Sequence, residues 1–114
     1  MAEKCLVFVY GLLKPGIQPP RSMSQSWADD IEGVLYDLGE FPAAVQVGAA
    51  GSRITGYTIE IDTDELTALD EFEDTETGVY RRIMVETGLG HFAWVYEYIQ
   101  PIPPGTPVIT SWSR

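Results

Sequence analysis

The chain has 114 residues, 45% of them hydrophobic, and a formal charge of −10 from 17 acidic against 7 basic side chains. That length and apolar share support a single compact domain, 1–114, and exclude a disordered chain. The negative charge repels phosphate backbones and anionic bilayers, and no run approaches the roughly 20 apolar residues of a membrane span, so neither nucleic acid nor membrane is an expected partner.

Cys5 and His91 are the only residues of their kinds. An intrachain disulfide is therefore excluded, and a structural zinc site would need an unusual all-carboxylate shell, so no metal is expected. The start "MAEKCLVFVYG" has no signal-peptide pattern, and the expected location is the cytoplasm. Nothing in the sequence sets an oligomeric state.

In chain order, "CLVFVY", Cys5 to Tyr10, is a continuous apolar run that reads as a strand buried on both faces and ended by Gly11. The segment "LLKPGIQPPRS" is a loop, "SQSWADD" a short helical turn, and "IEGVLYDLG" a strand closed by Gly39. "EFPAAVQV" continues extended after Pro42. In "ITGYTIEID", Tyr57, Ile59 and Ile61 alternate with Thr58 and Glu60, the period of a half-buried strand. A helix begins near Asp62. "YRRIMVET" and "HFAWVYEYI" form a hairpin across "GLG", with Phe92, Trp94, Tyr96 and Tyr98 on one packed aromatic face. The Pro-rich tail lies across the body, with Trp112 as its anchor. Strands outnumber helices, which gives an α+β domain on a mostly antiparallel sheet with one main helix.

The helix raises the functional question, because "DTDELTALDEFEDTE" is dense in carboxylates. Asp62 and Glu65 have capping-box spacing. With Leu66 at 0° and about 100° per residue, Leu69 falls near 300°, Phe72 near 240° and Glu73 near 340°. Glu71 and Asp74 fall on the solvent side, and Asp70 at the margin. Glu73 is thus the carboxylate on the apolar stripe. Burial raises a carboxyl pKa, and so does the negative end of a helix, which brings a glutamate toward proton transfer near neutrality. In the competing reading the helix frays and Glu73 turns to water or pairs with Arg81 or Arg82.

A second candidate is "VYGLLKPG". A glycine just past a strand lets backbone N–H groups approach a bound oxygen closely. Other constellations fail: a Ser–His–Asp triad would have to use His91, and no G-x-S-x-G, P-loop or G-x-G-x-x-G is present. Cys5 reads as core, and Tyr80 as packing or as a substrate-holding hydroxyl.

The ordered set "VFVYGLLKPG", "GVLYDLGEFPA", "ITGYTIEI", "LDEFED", "VYRRIMVE" and "AWVYEY" resembles the γ-glutamylcyclotransferase-like family, which includes AIG2-like proteins and γ-glutamylamine cyclotransferases. The resemblance spans nearly the whole chain. It implies a small β-barrel with the ligand cavity at its mouth. The family's Tyr-Gly-Ser/Thr-Leu motif corresponds to Tyr10, Gly11, Leu12 and Leu13, which would hold the γ-glutamyl or 5-oxoproline group. The last acid of its Leu-Asp-x-x-Glu pattern is Glu73, the catalytic residue, and Tyr80 is a pocket residue. Leu12 departs from the usual Ser or Thr, and Asp74 stands where many relatives have glycine. The implied reaction is closure of a γ-glutamyl amide to 5-oxoproline with release of the amine, without a cofactor. A non-catalytic small-molecule binder of the same fold is the alternative, and a scaffold using the tail and aromatic face is a third reading.

Overall fold

The computed structural model describes residues 3–49, 51–73, 75–76 and 78–113. Its strands are β1 (Lys4–Val9), β2 (Gln25–Glu32), β3 (Val34–Asp37), β4 (Pro42–Val45), β5 (Arg53–Asp62), β6 (Tyr80–Glu86), β7 (Phe92–Tyr98) and β8 (Val108–Ile109). A 3-10 turn at Thr63–Glu65 leads directly into helix α1, Leu66–Phe72.

The apolar run at the start of the chain becomes the axis of the molecule. β1 lies in the middle of a five-stranded sheet ordered β2-β5-β1-β7-β6. It pairs antiparallel with β5, from Lys4 opposite Asp62 to Val9 opposite Tyr57, and parallel with β7 at Val7 and Trp94. Alternate residues enter two different cores, as expected for a strand covered on both faces. Val7 and Val9 pack with Ile59, Ile61, Leu66 and Leu69 on the helix side. Phe8 packs with Ile31, Leu35, Ile54, Val95 and Trp112 on the other. Burying each such side chain contributes about 1.5–3 kcal/mol, so β1 is costly to perturb from either face.

The α+β class and the mostly antiparallel pairing stand, but the strands do not close into one barrel. They form two sheets, the second ordered β4-β3-β8. The switch between sheets is made at Gly33, with φ of 156°. A Cβ there would lie 2.9 Å from Ile54 Cδ1 and 3.3 Å from Val45 O, so only glycine lets the chain turn from β2 into β3 at this point. The expected single strand through "IEGVLYDLG" is accordingly split in two.

Further local expectations are corrected. The segment "SQSWADD" is strand rather than helical turn: β2 pairs with β5 along its whole length, from Gln25 opposite Glu60 to Glu32 opposite Arg53. Pairing with a long neighbour outweighs local preference. No capping box forms at Asp62 and Glu65. Asp62 binds Lys4, while Glu65 accepts the backbone N–H groups of Arg21 and Ser22 at 3.0 and 2.9 Å, pinning the long loop after β1 to the helix start. In β5, Ile59 and Ile61 point inward, but Thr58 is fully buried because its hydroxyl serves Asp29, and Tyr57 stands partly in solvent. The aromatic face of β7 is packed at Tyr96 and runs into solvent at Phe92. The tail behaves as expected: β8 pairs with β3, and Trp112 is buried in the second core.

No helix among the described residues is long and apolar enough to cross a membrane.

Candidate functional site

At the C-terminal end of β1 the chain passes through Tyr10 into a tight loop. Lys14 N–H donates to Gly11 O at 3.1 Å, and Gln18 N–H to Leu12 O at 2.8 Å. Lys14 Nζ reaches the carbonyl of Trp112, tying this loop to the tail. Leu13 is buried in the core beneath α1. Gly11 packs closely, since a Cβ would sit 3.0 Å from the Pro42 ring at the start of β4 and would press that ring back. Among the described residues, nothing accepts a hydrogen bond from the backbone N–H groups of Gly11, Leu12 or Leu13. These three residues border a cavity of about 390 Å³.

Glu73 lines the same cavity. Leu66 and Leu69 fasten α1 to the core, and Glu73 ends the helix, its N–H donating to Leu69 O at 2.9 Å. The helical spacing therefore places the half-buried Glu73 on the inner side, where burial pushes its carboxyl from 4.5 up to about 7. Arg81 and Arg82, the partners considered for it, are engaged elsewhere. Arg81 binds Glu97 at 2.6 Å, and Arg82 grips Asp70 with Nε at 2.8 Å and Nη2 at 3.2 Å.

Tyr10 and Tyr80 also line the cavity, and their hydroxyl hydrogens are committed. Tyr10 donates to the Tyr96 carbonyl, and Tyr80 to the Pro42 carbonyl at 2.9 Å. Burial raises both phenols above their ordinary range, with the nearby Glu73 charge adding to it, so both stay neutral. All six residues expected at the site, Glu73, Tyr10, Gly11, Leu12, Leu13 and Tyr80, border one hollow. Asp74, the departure after the helix, lies outside the described residues.

The sequence reading missed other walls of this hollow, among them Phe41, Phe72, Val79 and Tyr96. It also missed the anchor of the helix end. Asp70, placed at the margin of the apolar stripe, accepts the Tyr96 hydroxyl at 2.8 Å as well as the Arg82 fork, and the Arg82 guanidinium lies 4.4 Å over the Trp94 ring. A signal existed, because the β6–β7 hairpin sets Arg82 directly opposite Tyr96.

His91 takes no part in this cavity. Its Nδ1 meets Asp29 Oδ2 at 3.1 Å, and Asp29 also receives the Thr58 hydroxyl at 2.8 Å and the Asp30 and Leu89 N–H groups at 2.8 and 3.0 Å. This cluster ties β2 to β5 and to the turn between β6 and β7. Among the described residues, no group of three or more His, Cys, Asp or Glu converges as a metal site.

The fold and the hollow define a small α+β domain with a ligand-sized cavity at the end of its central strand, walled by apolar side chains with one partly desolvated carboxyl. The sequence family described as "Gamma-glutamyl cyclotransferase, AIG2-like" matches residues 7–113, and the chain belongs to that family. No curated protein matches the chain in sequence. Among solved structures, the protein ytfP from Escherichia coli is similar at 32% identity and a TM-score of 0.67, over 93% of this chain and 92% of that one. An AIG2-like protein from Mus musculus superposes with a TM-score of 0.75 at 23% identity, over 97% of this chain and 89% of that one. A structure titled "Gamma-glutamyl cyclotransferase" matches at 15% identity and a TM-score of 0.54, over 93% of this chain and 70% of its own. The last two are likenesses of fold.

Proposed function

We propose that the protein is a γ-glutamylcyclotransferase, converting a γ-glutamyl amide to 5-oxoproline and a free amine. The observation that carries this reading is the Glu73 carboxyl, brought to about 7 by burial in a cavity it shares with the Gly11–Leu13 loop. The substrate's α-amine is mostly ammonium at neutral pH and cannot attack until a base removes its proton. Glu73 takes that proton. The amine nitrogen then bonds to the γ-carbonyl carbon, closing a five-membered ring, and the N–H groups of Gly11, Leu12 and Leu13 hold the negative charge developing on the carbonyl oxygen. As the carbon–nitrogen bond of the amide breaks, Glu73 gives its proton to the departing nitrogen. It then takes the second proton from the ring nitrogen, which leaves the 5-oxoproline ring neutral, and passes it to the released amine, which departs as an ammonium.

Nucleophile and electrophile belong to one molecule, so the cavity has only to fold the substrate into its reactive shape. Tyr10 and Tyr80 shape the walls rather than move protons. The reading needs no cofactor and places the work in the cytoplasm. It also tolerates Leu12, since the backbone of that loop does the binding whatever side chain it carries.

The test is 5-oxoproline release from a panel of γ-glutamyl amides. Wild-type protein is expected to release it, and Glu73→Gln to do so roughly 10²–10⁴-fold more slowly while remaining folded. Full activity in that variant would remove Glu73 from the mechanism. A non-catalytic binder is the second reading, favoured by Leu12 in place of the usual hydroxyl. Ligand binding without turnover across the panel would establish it.

A further inference from the structure

The two ends of the cavity differ in chemistry. Among the described residues that line it, the ionisable side chains are Glu73 and the three tyrosines Tyr10, Tyr80 and Tyr96. Each tyrosine hydroxyl already donates inside the protein, to the Tyr96 carbonyl, the Pro42 carbonyl and the Asp70 carboxylate respectively. The other end is formed by Gly11, Leu12 and Leu13, whose backbone N–H groups have no acceptor among the described residues. The remaining wall is apolar. Phe72 is 51% exposed and Phe41 37% exposed while both border the cavity, so the two rings stand at its opening. Phe41 is backed by Tyr80 and Tyr98 at ring-centroid separations of 6.5 Å each, and those two rings lie 5.4 Å apart, which makes a preformed aromatic wall.

We infer that the amine released by this enzyme is apolar and uncharged apart from its reacting nitrogen, an alkyl or arylalkyl amine seated between Phe41 and Phe72. The inference rests on the cyclotransferase reading and specifies its substrate class. A carboxylate on the amine half would enter an opening with no described cationic side chain and would approach a protein of charge −10. An ammonium there would lose hydration against the Phe41, Phe72 and Val79 side chains, and among the described residues that line the cavity the only carboxylate is the one engaged in proton transfer. An alkyl or benzyl group gains about fourfold in binding per buried methylene.

The experiment compares kcat/KM for the γ-glutamyl derivatives of benzylamine, isobutylamine, methylamine, glutamate and the lysine side-chain amine, with binding of each to the same protein measured by calorimetry. The expected order is benzyl, isobutyl, methyl, with both charged derivatives at least about tenfold below the benzylamide. Parity or preference for either charged derivative overturns the inference and leaves the cyclotransferase reading intact. Absence of turnover with every compound defeats the catalytic reading, and the binding order then decides the inference separately, by the same criterion. Phe72→Ser is expected to lower the ratio of benzylamide to methylamide kcat/KM at least about threefold through KM. Phe41→Ser serves as a second variant should the first fail to fold. An unchanged ratio in the folded variant removes these rings as the amine seat.

Discussion

Asp29 and Glu73 are two carboxylates withdrawn from solvent whose surroundings drive them in opposite directions. The Asp29 side chain is only 1% exposed. Burial alone would raise it, but hydrogen bonds from Thr87, Thr58 and the Asp30 and Leu89 N–H groups more than compensate, and its pKa is lowered. Glu73 is raised to about 7 by burial. Asp29 is held as an anion that staples β2 to a hairpin turn, whereas Glu73 is balanced between protonation states beside a hollow. Seclusion by itself does not mark a reactive acid; the supply of donors around it separates a strut from a proton carrier.

Exchanging each acid for its amide tests that contrast most strongly. Glu73→Gln is expected to lose roughly 10²–10⁴ in kcat, whereas Asp29→Asn, assayed where it is folded, stays within about threefold of wild type. Equal losses in the two variants would erase the distinction. Stability should move the other way. The native state holds the Glu73 proton more tightly than the unfolded chain does, so its contribution is complete below pH 4.5 and is lost as pH rises through about 7. Glu73→Gln should therefore be more stable than wild type at pH 8 by roughly 3 kcal/mol, and no more stable at pH 4. Denaturant melts at the two pH values would read this directly.

Asp29→Asn should destabilise by about 1–3 kcal/mol at pH 7, because one oxygen that received donors becomes a donor itself. In wild type the Asp29 contribution is present above pH 3.8 and is lost as pH falls through its lowered native value. Activity should follow the other acid, with kcat/KM rising about tenfold between pH 6 and pH 8 as Glu73 ionises. A flat profile there would contradict the assignment. The smallest effect concerns the loop: Leu12→Ser should change KM less than about threefold if the ligand is held by backbone groups, against the 0.5–1.5 kcal/mol of a newly added hydrogen bond.

Much of this site was legible in the chain itself. The rotation of Glu73 onto the stripe of Leu66 and Leu69 follows from helical geometry over a short distance, and the glycine after an apolar strand marks a close backbone approach. What stayed hidden depends on partners far apart in sequence. Asp70 finds Arg82 and Tyr96 only once the hairpin has formed, and Phe41 reaches the opening only because Gly33 redirects the chain into a second sheet. β2 misread for the same reason: its local composition says little, and its long register with β5 decides the outcome. Asp62 and Glu65 fit a local capping pattern but were claimed by Lys4 and by the loop at Arg21 and Ser22.

The bond from Lys14 to the Trp112 carbonyl joins residues 98 positions apart. During synthesis the glycine loop leaves the ribosome well before its tether does. The loop can thus be tied down only after translation has passed residue 112, and any protection from proteolysis that needs the tether should switch on at that point rather than growing with chain length.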